Sequence, residues 1–404
     1  MKILSILVSL LLSSLVKDMT LRVDYIFGGN DHEAAVSLAR MSCTDGWYGR
    51  SVNMDSLPVK GNGSITMTDE ASGKVLYCTS FSTLFQEWQA TPEAKELTRS
   101  FQNTYLLPMP SAKAVVKVVL YDVKGREMCS FSHKVDPDDI LIGRRPQQST
   151  EHRYIHKGGE PRDVIDVVIL AEGYTSAQRD LFYADATAAV EAVFAHEPFT
   201  SMKESFNFLA VAPASADSGV SVPRRGEWKQ TPVLSHFDTF YSQRYLTTSE
   251  IFRMHDLLDG LPYEHLIVLA NTDTYGGGGI YNSYTLTTAH HAQFRPVVVH
   301  EFGHSFAALA DEYAYAGDED PYYFADVEPW EKNITTKADF ASKWQDMLEA
   351  GIDGVGLFEG AGYQAKGVYR PAEDCRMRTN QAGAFCPVCQ RAIRDMIMFY
   401  TKEK

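Results

Sequence analysis

The pentapeptide His300-Glu301-Phe302-Gly303-His304, set directly behind the apolar run Val297-Val298-Val299, constrains this chain more than any other feature. It has the pattern H-E-x-x-H. On an α-helix, residues four apart share a face, so both imidazoles reach one metal ion. Glu301 then stands beside that ion, placed to take a proton from water. The same pattern arises by chance on histidine-bearing core helices, so its surroundings carry weight. Ser305 through Ala310 continues the helical pattern, Gly303 permits close approach of another backbone or a substrate, and Asp311-Glu312-Tyr313 brings carboxylates where a third ligand is needed.

Helix geometry bears on the choice between those carboxylates. At ~100° per residue, positions 300, 304 and 311 fall within ~40° of one direction. In a straight helix, however, a rise of ~1.5 Å per residue leaves position 311 ~10 Å beyond His304, several times a zinc–oxygen bond of ~2 Å. Asp311 can therefore be a ligand only if the helix breaks near Ala307–Ala310, where no Gly or Pro marks a break. Glu312 is longer but points further round, and stands as the alternative ligand or as a partner of the ligands. Carboxylates at a helix C-terminus oppose the macrodipole and favour a nearby cation.

Downstream, Gly362-Tyr363 through Tyr369-Arg370-Pro371 leads into Cys375-Arg376-Met377-Arg378, then Phe385-Cys386-Pro387-Val388-Cys389. A Met in a polar, Cys-flanked turn after an H-E-x-x-H helix is the arrangement of a Met-turn beneath a metal site. With Leu309-x-Asp311-Glu312-Tyr313, Val168 through Thr175 (VILAEGYT) and Tyr275 followed by Gly276–Gly279, these residues resemble the igalysins, IgA-peptidase-like metallopeptidases of the metzincin group. The resemblance covers residues ~150–404 closely, with a family-type amino-terminal domain before them. It implies zinc held by His300, His304 and Asp311, a general base at Glu301 and a Met-turn at Met377. The commoner metzincin pattern places Gly three residues after the second His and a His or Asp three later; here those positions hold Ala307 and Ala310.

A chain of 404 residues, 45% apolar and 22% charged, reads as globular protein of two or three domains. The net charge of −14 argues against nucleic acid and anionic membrane surfaces as partners. Ile3 to Val16, behind Lys2, is too short to span a bilayer and resembles a signal-peptide core, so residues 1–19 are expected to direct export to a secreted, periplasmic or cell-surface location. The six cysteines fall in two groups of three: Cys43, Cys78 and Cys129, and Cys375, Cys386 and Cys389. A second zinc on the C-x-x-C pair lacks a fourth Cys or a nearby His, and the expectation for an exported protein is a disulfide from Cys375 to Cys386 or Cys389.

The fold class expected is an α/β metzincin-like zinc peptidase domain, 146–404, preceded by an all-β sandwich-like domain, 20–145. In the first, Ser64–Thr68, Lys74–Phe81 and a hairpin of Val115–Tyr121 with Met128–Val135 are β-like runs broken by turn residues. The irregular stretch Gly143 through Thr150 reads as a linker. Beyond it, Val164–Leu170, Phe206–Val211 and His265–Ala270 read as buried strands. A helix from about Ser176 has apolar positions at Phe182, Ala186, Ala189, Val190, Val193 and Phe194 and is stopped by Pro198. Ile280 through Thr287 reads as an edge strand that could pair with an extended substrate, and Gly276–Gly279, which lacks the Lys of a phosphate loop, as a flexible rim of the cleft.

Other candidates are weaker. His290 and His291 sit outside the helical spacing and read as surface or core histidines. Tyr313 and Tyr315 read as packing residues before oxyanion donors, and Asp318-Glu319-Asp320 as a solvated acidic loop before a calcium site. No G-x-S-x-G elbow supports serine chemistry. The function that follows is a zinc endopeptidase with a protein or peptide substrate; the resemblance implies immunoglobulin A-like targets. The competing reading is a surface adhesion or glycoprotein-binding protein with a structural or vestigial metal site. An intact Glu301 argues against it, because a structural zinc needs no general base.

Overall fold

Strand formation dominates the first third of the chain because β-branched and aromatic residues alternate there with polar ones. The computed structural model describes residues 15–147, 150–315 and 322–402. Residues 1–14 of the expected signal stretch 1–19, residues 148–149 of the expected linker and the acidic triplet Asp318-Glu319-Asp320 lie outside the described residues, while Val16 through Met19 are strand.

The first half contains β1 (Val16–Gly29), β2 (Ala34–Asp45), β3 (Gly63–Asp69), β4 (Val75–Phe81), the short helix α1 (Leu84–Gln89), β5 (Arg99–Pro110), β6 (Ala114–Tyr121), β7 (Glu127–Val135) and β8 (Gly143–Arg144). They form two four-stranded sheets, β5-β1-β2-β8 and β4-β3-β6-β7. Leu21, Val23, Tyr25 and Phe27 of β1 share one core with Ile65, Met67, Val116, Val118 and Leu120. The hairpin β6–β7 turns through Asp122–Gly125, where the Gly125 N–H donates to the Asp122 carbonyl at 2.8 Å.

Strands β1, β2 and β5 add to the runs read from the sequence, and β1 departs from a half-exposed strand in its burial. Its residues 20–25 are buried on both faces, including Arg22 and Asp24. Alternation puts these two charges on the face away from the sandwich core, against the second half of the protein. There the Arg22 guanidinium bonds Asp24 (2.9 and 3.0 Å), Asp256 (2.7 Å) and the Phe252 carbonyl (2.9 Å), while Asp24 also accepts from Thr104 (2.6 Å) and Arg40. Asp259 completes the group at 3.3 Å from Arg22 and is bonded by Arg145.

The second half is built on a mixed six-stranded sheet. After β9 (His152–Lys157) come β10 (Ile165–Glu172), α2 (Arg179–Phe194), β11 (Phe206–Val211), α3 (Ile251–Asp256), β12 (His265–Ala270), β13 (Gly277–Ile280), β14 (Tyr284–Thr288) and α4 (Phe294–Ala307). The chain ends with α5 (Gln345–Glu349), the hairpin β15 (Phe358–Ala361) and β16 (Gln364–Arg370), and α6 (Pro387–Thr401). The sheet order is β13-β14-β12-β10-β11-β9, parallel in the middle four and antiparallel at both edges. Helix α2 follows a Thr175/Gln178 capping box and buries Phe182, Ala186, Ala189, Val190 and Val193 against the sheet, as its periodicity requires.

Two expectations about the sheet edge are corrected. The edge strand is β13, not Ile280 through Thr287; residues 284–288 form the wholly buried β14, one strand further in. The glycine tract is therefore strand, not a flexible rim. Its glycines are required by proximity: a Cβ on Gly279 would stand 2.3 Å from the Glu301 carbonyl and 2.9 Å from the His304 Cβ. The outer side of β13 is engaged at Gly277, which bridges to Tyr245.

Candidate metal centre

Helix α4 crosses behind β13 and β14 and carries His300, Glu301 and His304 on the side that meets the glycine strand. It ends at Ala307. Ala308 adopts a left-handed conformation (φ 57°), its N–H donates to the His304 carbonyl at 3.0 Å, and the Leu309 N–H donates to the Gly303 carbonyl at 3.2 Å. Left-handed helix stops are usually Gly, and an alanine there costs roughly 1–2 kcal/mol. Buried Asn333 holds the returning segment: its side chain accepts from the Ala310 N–H and donates to the Ala310 carbonyl, both at 2.8 Å. The turn-back that Asp311 needs is thus present, made by residues that mark no break in the sequence.

As a result, His300 Nε2, His304 Nε2 and Asp311 Oδ1 converge. The two nitrogens are 3.0 Å apart, and Asp311 Oδ1 lies 3.0 Å from His300 and 3.3 Å from His304. Three ligand atoms on a tetrahedral ion with bonds of ~2.0 Å would be spaced by about 3.3 Å. Each imidazole is oriented by its other nitrogen: His300 Nδ1 meets the Arg376 carbonyl at 2.9 Å and His304 Nδ1 meets the Leu309 carbonyl at 2.6 Å. That assigns the Nδ1–H tautomer and leaves an Nε2 lone pair on each ring. Asp311 Oδ1 is buried without a hydrogen-bond donor, while its Oδ2 accepts from the Tyr363 hydroxyl. Three lone pairs facing one another at about 3 Å repel unless a cation lies between them. The donor set, two imidazoles and a carboxylate, fits a divalent ion such as zinc.

Without an ion between them, a proton takes the cation's place among these groups. Burial disfavours a charged His304, but Asp311 outweighs it and lifts that histidine to about 9. His300 is raised on the same balance, and Asp311 is held far below the usual carboxylate range because the two histidines overcome its burial. Glu301 is raised by burial against the opposing pull of the histidines, and its Oε1 lies over Gly277. The site draws in positive charge.

Glu312 points elsewhere. It is fully buried, its Oε1 accepts from Asn333 Nδ2 and Cys389 Sγ, each at 3.0 Å, and its N–H donates to the Met377 carbonyl at 2.8 Å. Met377 is itself wholly buried and reaches under α4, where a Cβ on Gly303 would stand 2.8 Å from its Sδ. Gly303 therefore makes room for the methionine and not for a substrate. His290 pairs with Asp185 at 2.7 Å and His291 accepts from the Gln293 N–H at 3.1 Å; neither joins the cluster. Tyr313 and Tyr315 pack with Tyr363 in an aromatic group beside Asp311. The expected disulfide is absent: Cys375, Cys386 and Cys389 are free thiols.

The sequence assigns no role to three residues near the site: Tyr363 on Asp311, Asn333 on the returning segment, and Glu87 from the first half. Glu87 is bonded by Tyr245; burial pushes it up to about 7 against that hydrogen bond, and the charges of His304, Glu301 and Asp311 act on it. The interdomain cavity lined by Thr104, Tyr105, His255, Tyr263 and Tyr400 contains none of the converging groups.

A family model described as IgA Peptidase M64 matches residues 154–354 and 352–397, which is more than half of the chain. The chain belongs to the M64 peptidase family. A second model, Peptidase M64 N-terminus, matches residues 12–132 of the same M64 peptidase. No curated protein matches it. As a metallopeptidase it uses a metal ion and acts on protein or peptide, and the match to the catalytic family contains His300, Glu301, His304, Asp311 and Met377. No helix among the described residues of the M64 peptidase is long and apolar enough to cross a membrane.

Proposed function

We propose that the protein is an exported zinc endopeptidase of metzincin type, in which His300, His304 and Asp311 hold the ion and Glu301 is the general base. The observation that carries this reading is the convergence of two tautomer-fixed imidazoles on a carboxylate oxygen that has no donor of its own. Zinc, when bound, supplies Lewis acidity toward the scissile carbonyl and lowers the pKa of water to about 7. Glu301 accepts the proton of the attacking water and delivers it to the departing amine. The Arg376 and Leu309 carbonyls keep the imidazoles aimed, the Tyr363 hydroxyl steadies Asp311, and the turn at Met377 supports the helix from below as a Met-turn. The histidine side chains keep 13–15% of their surface exposed and Asp311 keeps 7%. Extracellular proteins, immunoglobulin A among them, are the proposed substrates on the strength of the family's description.

Glu301→Gln is the test. It should keep metal and fold and lower turnover by at least ~10²–10⁴, the span that proton transfer contributes. Cleavage of a diverse peptide library, with and without a chelator, gives the activity. Unchanged hydrolysis in Glu301→Gln, or activity indifferent to the chelator, would refute the mechanism.

A further inference from the structure

Behind the histidine site lies a second convergence of metal-binding groups. Glu312, Cys375, Cys386 and Cys389 are all buried, and one ligand atom from each lies within 4.8 Å of the others. They come from three separated segments: the strand of chain after α4, the turn that bears Met377, and the first turn of α6. We propose that these four residues form a closed, structural zinc site, S3O in donor set, that clamps the Asp311 segment to the Met377 turn and to the last helix.

The geometry favours a metal over the alternatives. Cys375 and Cys389 are 3.8 Å apart at sulfur, against about 2.05 Å for a covalent bridge and about 3.8 Å for two thiolates at ~2.3 Å from one tetrahedral zinc. Cys386 caps α6 and, with Cys389, forms the C-x-x-C pair: its Sγ accepts from the Cys389 N–H at 3.5 Å, while the Cys386 N–H donates to Cys375 Sγ at 3.3 Å. Backbone donors and the positive end of a helix stabilise thiolates at that position. Glu312 supplies the oxygen: its Oε2 is buried and has no hydrogen-bond partner among the described residues. A fully buried carboxylate half unsatisfied is costly unless a cation accompanies it. Three thiolates and a carboxylate around zinc carry the same net charge, −2, as a four-thiolate structural site, and binding releases the thiol protons to solvent. Four protein ligands in a buried pocket leave no open position, so the site holds structure and does not catalyse.

Its position gives it a role. Glu312 follows Asp311 directly and also donates its N–H to the Met377 carbonyl, so fixing Glu312 fixes both the third candidate ligand and the turn beneath the histidines. The experiment is metal analysis of the purified full chain and of a His300→Ala/His304→Ala variant. Two zinc ions per chain are expected in the first. One should remain in the second, with X-ray absorption showing sulfur scatterers at about 2.3 Å from it. Cys386→Ser/Cys389→Ser should lose that ion. Should the cysteine variant not fold, the sulfur-bound zinc of the histidine variant decides the matter alone. A single zinc with no sulfur neighbours in the wild-type chain, or a disulfide between Cys375 and Cys389 found by non-reducing mass spectrometry, overturns the proposal.

Discussion

Replacing Gly303 by Ala sets two effects against each other on one helix. In an exposed helix interior the change would stabilise by about 1 kcal/mol through propensity. In α4 the new methyl would stand 2.8 Å from Met377 Sδ, 3.4 Å from Phe385 Cε1 and 3.5 Å from Met377 Cε. Both side chains are buried, Met377 completely, so the thioether has little space to retreat into. Overpacking of this kind costs about 1–3 kcal/mol. The sum is a net loss of about 0–2 kcal/mol, a fall in Tm of up to ~8 °C at about 2–4 °C per kcal/mol for a domain of this size. Zinc affinity should fall about tenfold as well, because moving Met377 moves the Arg376 carbonyl that orients His300. Calorimetry and chelator competition measure both. The decisive comparison is made in a Met377→Ala background, where the obstructing atom is gone and Gly303→Ala should stabilise by about 1 kcal/mol. A Gly303→Ala single variant more stable than the wild type with unchanged zinc affinity would refute the reasoning.

Three further outcomes follow from the same structure. Asp311→Ala should abolish stoichiometric zinc at the histidine site without unfolding the chain, whereas Tyr363→Phe should weaken it ~10–100-fold, both read by competition with a chelator. Arg22→Met leaves buried Asp24 with Arg40 and buried Asp259 with Arg145 as remaining cations and should cost up to about 3 kcal/mol, measured by denaturant unfolding. His265 is wholly desolvated between Phe306 and Tyr400 and is pushed down from 6.5 to about 3. Its folded value is depressed, so the unfolded chain takes up the proton first: the contribution is complete above pH 6.5 and is lost as pH falls from there toward about 3. His265→Leu should lower the pH slope of unfolding free energy in that window by up to ~1.4 kcal/mol per pH unit; an unchanged slope would show that His265 is not what makes the fold acid-sensitive.

How much of this was readable from sequence depended on the range of the forces involved. Helices α2 and α4, strands β10, β11 and β12 and the β6–β7 hairpin follow local periodicity, and local periodicity is visible in a single chain. The stop after Ala307 is not, because it is enforced by Asn333 and by a left-handed alanine in place of glycine. Strand β1 alternates Leu21, Val23 and Tyr25 with Arg22 and Asp24, and what the pattern does not show is that the charged face is also buried, against the second half. The histidines and Glu301 are legible as a motif, and both the helical angle and the family resemblance favour Asp311 over Glu312. The partnership of Glu312 with Cys375, Cys386 and Cys389 joins residues more than sixty positions apart, and no spacing rule reaches that far.

The doubly buried strand β1 also limits how this protein can be cut, shuffled or inherited. Its Leu21, Val23 and Tyr25 complete one core while Arg22, held by Asp24, pairs with Asp256 and Asp259 of the other half. A fragment beginning after residue 145 would strip the arginines from Asp256 and Asp259 and the partners from Tyr281 and Asn282, which bond Ser80 and Thr79 ahead of α4. Recombination that exchanged one half without the other would therefore have to rewrite both sides of a shared seam at once.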